Sequence, residues 1–304
     1  MFDESHRGGK YKIKTLFEEC LNMKKITRRS FLAAAGLSVA ALALTACGGS
    51  SSTASSAAAS SVASSAAASS EAASAAADLT TVEAGKLTMA TNATFPPYEM
   101  TTDNGTIEGI DVETAQAIAD KLGLELQVDD MDFDAALLSV QQGKADIAMA
   151  GITVTDERKA VMAFSDSYAT GIQSIIVPEG SDIASADDLA GKKIGTQRGT
   201  TGYLYCSDDF GEDAVVAYDN GLTAVQALNN GQVDAVVIDN EPAKAYVESN
   251  PGLKILDTSY AEEDYAIGMN KDNTALLDAV NAALEELKAD GTLQSIVDKY
   301  ITAE

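Results

Sequence analysis

One arginine stands where helix electrostatics disfavours it. Residues 147–158 read IAMAGITVTDER: the apolar run predicts a buried strand, and Thr155 predicts the N-cap of a helix. Arg158 therefore falls in the first helical turn, where the helix dipole opposes a cation. A guanidinium in that place is suited to bind an anion, since its planar fork meets a carboxylate through two parallel hydrogen bonds. A surface ion pair with a neighbouring acid is the alternative.

An acidic residue follows another apolar strand in the same way. A predicted helix, a Gly-x-x-Asp turn and a strand occur twice, once in each half of the domain. The first strand delivers Gly151 and Thr153, just before the helix that carries Arg158, and the second delivers Asp239. Ligands bind beyond the carboxyl ends of strands in open α/β sheets, so the repeat predicts opposite charges facing one cleft. Asp239 could instead be a helix N-cap, because Pro242 follows it closely.

The elements that position these residues form an α/β pattern of two similar lobes. Loops are predicted over 92–98 and 197–202, each directly after a strand. Helices are predicted over 109–123, 133–142, 222–229 and 274–300, the last broken at Asp290-Gly291 and covering the first lobe. Strands are predicted over 85–91, 124–128, 146–150, 174–177, 191–196, 235–238 and 264–269.

Composition excludes several kinds of chemistry. The formal net charge is −25, which is unsuited to nucleic acid because phosphates require a basic surface. The single histidine, His6, precedes the domain, so histidine-based catalysis and histidine metal ligation are not expected there. Cys206 is predicted to be an inert thiol. We predict no metal, no cofactor and no enzymatic activity.

The N-terminal part predicts export and anchoring. Residues 1–46 combine a basic region with an apolar stretch too short to span a membrane, and Met23 begins a conventional leader of this kind. The leader ends in LTAC, which resembles a bacterial lipobox with Cys47 as the lipidated residue. Residues 47–78 are almost all Ser and Ala, which predicts a disordered tether. The protein would then lie at the outer face of the cytoplasmic membrane; TRRSFL leaves general and twin-arginine export both open.

Five segments carry a resemblance to a known family. They are FPPYE at 95–99, GIDVETAQAIADKLG at 109–123, GKADIAMAGITVTDERKAVMAFSDSY at 143–168, GKKIGTQRGTTG at 191–202 and DAVVIDNEPA at 234–243. Together they resemble the family 3 extracytoplasmic solute-binding proteins, the polar amino-acid receptors of ABC importers. The resemblance implies a two-lobed α/β periplasmic-binding-protein fold (type II) with two hinge crossings.

On this resemblance residues 79–304 form the solute-binding domain. One lobe would cover about 79–174 plus 267–304, and the other about 175–266. We expect a monomer that binds a free amino acid and delivers it to the permease subunits.

The resemblance also implies roles for individual residues. Arg158 would bind the ligand carboxylate, helped by Thr153, Thr200 and Thr201. Asp239 would take the α-ammonium together with the Gly151 carbonyl. Phe95 and Phe133 would flank the side chain. Core packing for the two aromatic residues, and ordinary turn geometry for the two threonines at 200–201, are the alternatives.

Ligand identity depends on the remaining pocket positions. Asn92 is neutral where some family members place an aspartate, which argues against lysine or arginine and favours glutamine or cystine. Gln197 and Arg198 follow the strand of the second lobe, and Arg198 either reaches the cleft or points outward.

Two other functions use the same fold. An exported prephenate-type (cyclohexadienyl) dehydratase would need a cleft carboxylate as general acid, for which Glu99, Asp132 and Glu241 are candidates by position. A receptor domain that signals through a membrane partner is the third possibility.

Overall fold

The computed structural model describes residues 79–301. The predicted leader (1–46), the predicted lipidation site Cys47 and the predicted tether (47–78) lie outside the described residues. In the described range each helix is too short or too polar to span a bilayer.

Short strands and helices alternate along this range. The strands are β1 (Lys86–Thr91), β2 (Thr94–Phe95), β3 (Glu99–Thr101), β4 (Ile107–Glu108), β5 (Glu125–Asp130), β6 (Ile147–Ala148), β7 (Ala163–Phe164), β8 (Ala169–Pro178), β9 (Ile194–Gln197), β10 (Val215–Tyr218), β11 (Ala235–Asp239), β12 (Leu253–Ile255), β13 (Ala261–Tyr265) and β14 (Gly268–Met269). The α-helices are α1 (Ile110–Leu122), α2 (Phe133–Gln141), α3 (Asp156–Val161), α4 (Thr201–Phe210), α5 (Gly221–Asn229), α6 (Asn240–Ser249), α7 (Thr274–Ala289) and α8 (Thr292–Tyr300). Two 3-10 helices cover Ala186–Leu189 and Glu212–Ala214.

The first lobe is built on a five-stranded sheet in the order β5-β1-β6-β14-β7. β1 runs parallel to β5 and β6, whereas β14 is antiparallel to its neighbours β6 and β7. Helices α1, α7 and α8 share one apolar cluster with this sheet, in which Leu87, Ile118, Ile147 and Leu284 are fully buried. The prediction that the C-terminal helices cover the first lobe is therefore confirmed. The segment after β1 forms a small three-stranded sheet in the order β2-β3-β4.

The second lobe is built on a sheet in the order β10-β9-β11-β8-β12, with β13 also paired to β8. Neighbouring residues on one strand point to opposite faces of the sheet. Ile176 packs with Val225 of α5 on one face, whereas Ile175 packs with Cys206 of α4 on the other. The sheet is therefore covered on both sides, and the Cys206 thiol is a free, fully buried core group.

Two crossings connect the sheets, as predicted. The chain leaves the first sheet after β7 and returns after β13. The crossings pair with each other, since the Ser165 N–H donates to the Ile267 carbonyl and the Tyr168 N–H donates to the Tyr265 carbonyl, both at 3.0 Å. β8 lies wholly in the second sheet, so the change of sheet falls before residue 169, whereas the predicted boundary at 174 would divide that strand.

The strand predicted over 264–269 is two strands. β13 ends at Tyr265 in the second sheet, and β14 begins at Gly268 in the first. The apolar run continues through the crossing because the crossing itself is buried, with Ala266 and Ile267 fully inaccessible. Hydrophobicity alone could not locate the point at which the chain changes sheet.

Candidate functional site

Four strand ends meet at one cavity between the lobes. The residues that follow or end these strands are Asn92 after β1, Gly151 after β6, Gln197 in β9 and Asp239 in β11, and all four line the cavity. This convergence was predicted from the repeated strand pattern. The other lining residues are Phe95, Glu99, Phe133, Ala150, Thr153, Arg158, Gln173, Thr200, Thr201, Val237, Ile238 and Tyr265.

Arg158 reaches the cavity from the first turn of α3. Thr155 caps this helix, as predicted, by accepting the Arg158 backbone N–H at 3.2 Å. The Arg158 side chain is buried, and its guanidinium lies 5.3 Å from the centroid of the Phe133 ring. It donates to the Thr153 carbonyl at 2.7 Å and to the Gly199 carbonyl, in the second lobe, at 3.1 Å. A guanidinium has five N–H donors, so these two contacts leave donors for an anion.

A buried glutamate offsets the charge of Arg158. Glu263, on β13, accepts hydrogen bonds from the Thr153 hydroxyl at 3.0 Å and from the Gln173 side chain at 2.9 Å. Burial lowers the pKa of Arg158, and the charge of Glu263 acts against that shift. Glu263 and Gln173 are site residues that the sequence did not indicate.

The threonines at 200 and 201 lie at the start of α4. Thr200 is the N-cap: its hydroxyl accepts the Tyr203 N–H at 3.4 Å and donates to the Gln197 carbonyl at 2.8 Å. The Thr201 hydroxyl is 3.4 Å from the Thr153 hydroxyl, across the cleft. Thr200 is therefore a helix N-cap rather than the ordinary turn residue that was the alternative to a ligand role, and both threonines line the cavity. A helix N-terminus with unpaired N–H groups favours an anion.

Asp239 ends β11 and caps α6. One carboxylate oxygen accepts the Glu241 N–H at 3.0 Å, and the other accepts from the Ile172 N–H and the Tyr265 hydroxyl, both at 2.9 Å. Asp239 therefore has the N-cap geometry that was considered as an alternative to ligand binding. The same side chain also lines the cavity. Burial raises the pKa of Asp239 to about 6, against the opposing effect of its hydrogen bonds.

Phe95 is held against Gly151. The Phe95 ring stacks on Tyr98 with centroids 5.7 Å apart. Gly151 has a φ of +54°, and a Cβ there would lie 2.7 Å from the Phe95 ring, so no larger residue fits without displacing it. Phe133, which also lines the cavity, packs into the core of the first lobe. Both phenylalanines thus combine the core role and the cavity position.

The amide of Asn92 is occupied by protein partners. Its side-chain nitrogen donates to the Met131 carbonyl at 3.0 Å, and its oxygen accepts from Gln197 at 2.9 Å and from the Thr94 hydroxyl at 3.1 Å. The Gln197 contact crosses the cleft, and so joins the two lobes.

Arg198 is not brought into this cavity. Its side chain is 57% exposed and lies 3.9 Å from the Asp219 carboxylate. It lines a separate surface depression with Asp132 and Asp134. Strand alternation accounts for this: Gln197, the last residue of β9, faces the cavity, so the next side chain points away.

The sequence did not predict two buried carboxyl groups at or beside the cavity. Glu99, noted only as a possible general acid, is fully buried at the cavity wall. Asp111, fully buried in the first turn of α1, accepts the Gly151 N–H at 3.0 Å. Burial raises the pKa of both groups, to about 6 for Asp111 and well above the usual range for Glu99. Within residues 79–301 no cluster of three or more His, Cys, Asp or Glu side chains could hold a metal ion.

A two-lobed α/β domain whose strand ends converge on an interlobe cavity has the architecture of two-lobed solute-binding proteins. The sequence matches the bacterial extracellular solute-binding proteins, family 3, over residues 87–303, and the chain belongs to this family. The family and the matched relatives are solute-binding proteins and not enzymes, in agreement with the prediction and against the dehydratase alternative.

Relatives of this chain are named after the amino acids that they bind. The "Probable histidine-binding protein" of Neisseria gonorrhoeae is 32% identical over 291 residues, covering 93% of this chain and 98% of the relative. The L-cystine-binding protein TcyJ of Escherichia coli (strain K12) is 33% identical over 226 residues, covering 73% and 85%. A solved structure described as an ancestral arginine-binding protein bound to glutamine is 43% identical, with a TM-score of 0.69, covering 72% and 99%.

Proposed function

We propose that this protein is a lipid-anchored receptor that binds a free polar L-amino acid between its lobes and delivers it to an ABC permease. The observation that carries the proposal is the pair Arg158 and Asp239. These side chains have opposite charges, come from different lobes and line the same cavity. Both are buried, with exposures of 8% and 1%.

A zwitterion is the ligand that such a pair suits. The α-carboxylate of an amino acid would pair with Arg158 near the start of α4, and the α-ammonium with Asp239. Each ligand charge loses its water on entering the cavity, so each needs a fixed partner of opposite sign. The hydrogen bonds to Asp239, and the one from Arg158 to the Thr153 carbonyl, lie within one lobe and hold both partners in place before the ligand arrives.

Contacts between the lobes are consistent with a cleft that closes on its ligand. Hydrogen bonds cross it from Arg158 to Gly199, from Gln197 to Asn92 and from Tyr246 to Thr94, in addition to the Thr153–Thr201 contact. Hinge closure around a ligand is a common motion of two-lobed binding proteins. Micromolar binding requires about −8 kcal/mol, which two charge-assisted contacts and burial of the ligand side chain between Phe95 and Phe133 can supply after the cost of closure.

The relatives support amino acids as the ligand class. Their names give histidine, cystine and arginine, and the ancestral arginine-binding protein was solved with glutamine. Each of these ligands carries the same α-carboxylate and α-ammonium. The glutamine or cystine preference drawn from the sequence rests on Asn92, whose amide has protein partners, so that residue is a weak guide to the ligand.

The sequence of the N-terminal residues supports a lipid anchor to the membrane. Cys47 in LTAC would carry the lipid, and the Ser/Ala tract would keep the monomeric domain near the permease at the outer face of the cytoplasmic membrane. Mass spectrometry of the mature protein should find a lipidated Cys47 at its N-terminus. Cys47→Ser should release the domain from the membrane fraction; a variant that stays there without lipid would contradict this part of the proposal.

A screen of amino acids tests the ligand class. The exported domain is heated with each of the twenty L-amino acids and with L-cystine in turn, and ligands that raise its melting temperature are titrated by calorimetry. Binding to the folded state stabilises it in proportion to ln(1 + [L]/Kd). We expect at least one amino acid with a Kd of about 1 μM or lower. A folded domain that binds none of them would contradict the proposal.

A further inference from the structure

Glu263 lies behind the cavity wall rather than on it. It is a buried residue of β13, and among the described residues those that line the cavity do not include it. Its carboxylate instead reaches two side chains that do line the cavity, Thr153 and Gln173, which donate to the same oxygen at 3.0 Å and 2.9 Å. Glu263 therefore acts on a ligand through the field of its charge and through the side chains that it orients.

The two hydrogen bonds to Glu263 orient the polar wall at the Arg158 end of the cavity. A hydroxyl has one proton, so Thr153, which gives that proton to Glu263, turns a lone pair towards the Thr201 hydroxyl at 3.4 Å. A carboxylate accepts and does not donate, so the Gln173 amide meets it with its nitrogen. The Gln173 oxygen then faces Gly202 in the first turn of α4, where a Cβ would lie 2.9 Å from it. The wall thus presents oxygen acceptors towards the start of α4, and these do not bind an anion.

Glu263 is fixed beside the loop that carries Arg158. The Val154 N–H, on that loop, donates to the carbonyl of Asp264, the next residue of β13, at 3.0 Å. Of the charges that act on Arg158, the charge of Glu263 has the largest effect. On the other side, burial first and the charge of Glu263 second raise the pKa of Tyr205 on α4 to about 12. The fold therefore holds a negative charge close to the guanidinium.

The charges around the cavity disfavour a simple anion. Within residues 79–301, Arg158 is the only cation that lines the cavity, whereas Glu99 and Asp239 are acids. Glu263 adds a further acid behind the wall beside Arg158. A carboxylate without an ammonium group meets the repulsion of Glu263 in full. For a zwitterion the repulsion of the α-carboxylate is largely cancelled by the attraction of the α-ammonium, because the two ligand charges are close together.

Building on the proposed function, we propose that Glu263 is the positioning residue that makes the cavity selective for zwitterionic amino acids over simple carboxylates. Its charge offsets that of Arg158, so an anion alone gains little free energy on entering. Its hydrogen bonds also turn the oxygen atoms of Thr153 and Gln173 towards the site. The ligand class that Glu263 excludes is organic acids that carry the carboxylate but lack the α-ammonium.

Calorimetric titration of the exported domain with three probes tests this inference. The probes are the L-amino acid that binds most tightly in the screen described above, its decarboxylated analogue and its deaminated analogue; for arginine the analogues are agmatine and 5-guanidinopentanoate. The titrations are done at about pH 8, above the pKa of about 6 of Asp239, so that this side chain is ionised. The wild-type protein should bind the decarboxylated analogue more tightly than the deaminated one.

Glu263→Gln removes the charge and keeps an oxygen that can accept from Thr153 and Gln173. We expect this variant to bind the deaminated analogue about 10-fold more tightly than the wild-type protein does, and the decarboxylated analogue about 3-fold more weakly. Its affinity for the intact amino acid should stay within about 3-fold of the wild-type value. A loss of packing would weaken all three probes, so opposite changes for the two analogues identify the charge. Glu263→Asp keeps the charge and should keep the wild-type order.

The matched control is Glu262→Gln on the same strand, where the side chain is exposed on the opposite face. Its ratio of the two analogue affinities should stay within about 2-fold of the wild-type ratio. Equal changes or no change in the three affinities of Glu263→Gln would overturn the inference, as would the same shift in Glu263→Asp. Wild-type binding of the deaminated analogue at least as tightly as the decarboxylated one would overturn it without any variant. A folded wild-type domain that binds no amino acid would instead reject the proposed function itself.

Discussion

The hydroxyl of Tyr246, on α6 of the second lobe, donates a hydrogen bond to the carbonyl of Thr94 in the small sheet of the first lobe. This contact exists only when the lobes are together, and it lies outside the set of residues that line the cavity. It therefore offers a way to change the closing equilibrium without touching a ligand contact.

Tyr246→Phe should weaken the binding of every ligand by about 2- to 10-fold, because the closed state loses one hydrogen bond of roughly 0.5–1.5 kcal/mol. The control is Tyr260→Phe, which removes a hydrogen bond of 2.7 Å to Asp209 within the second lobe. Calorimetry should find its affinities unchanged. Equal affinities in the Tyr246 variant and the wild-type protein would show that the contact does not contribute to closure.

Arg158→Ala should weaken every amino-acid ligand by about 2–5 kcal/mol, since a desolvated carboxylate is left unpaired. Arg198→Ala is the matched control, because it removes the other arginine of the exported region from a half-exposed position outside the cavity. Its affinities should stay within about 2-fold of the wild-type values. If the two alanine variants bind equally well, the carboxylate is held by another group.

Gly199→Ala should hinder closure. Gly199 has a φ of +74°, and an added Cβ would lie 1.8 Å from the Asp134 carboxylate of the opposite lobe. The exposed Asp134 side chain can rotate away from part of this overlap, and opening the cleft relieves the rest, so the variant should bind ligands about 2- to 5-fold more weakly. Gly191→Ala carries the same backbone strain, with a φ of +77° and nothing within 4 Å. If the Gly191 variant loses as much affinity, backbone strain and not the cross-cleft overlap is the cause.

The ligand-free protein should show the raised pKa of Asp239 in its stability. The folded-state pKa is about 6, above the unfolded value of roughly 3.9, so the folded state binds more protons between these pH values. The stabilisation from this proton is complete below the unfolded pKa and disappears as the pH rises through about 6. Lowering the pH from 7 to 5 should therefore stabilise the wild-type protein relative to Asp239→Asn. Urea unfolding at both pH values measures this; an unchanged or reversed difference would mean that the pKa of Asp239 is not raised.

Elements with a strong apolar period were predicted closely. α1 spans Ile110–Leu122 against a predicted 109–123, because its buried residues recur on one face and Gly123 ends it in a left-handed conformation. α4 was missed, since Thr201–Phe210 reads TGYLYCSDDF, with an early glycine and two aspartates and only a few apolar positions. Its burial comes from the sheet beneath it, which a local pattern does not record.

The site residues likewise fall into those that the sequence could locate and those that it could not. Arg158 and Asp239 could be located because each follows a strand whose apolar run is visible in the sequence. Glu99 and Glu263 could not be located, because a buried carboxylate is a tertiary property: both are surrounded by residues distant in the chain. The ligand preference drawn from Asn92 depended on a side chain whose partners, Met131 and Gln197, come from other elements.

Removing one ligand charge at a time tests the central claim most directly. For the L-amino acid that binds most tightly, calorimetry compares the intact ligand with its decarboxylated and its deaminated analogue. Because the proposed function assigns one α group each to Arg158 and Asp239, we expect both analogues to bind at least about 100-fold more weakly than the amino acid. An analogue that binds as tightly as the intact amino acid would show that the corresponding charge has no partner in the cavity, and would contradict the account.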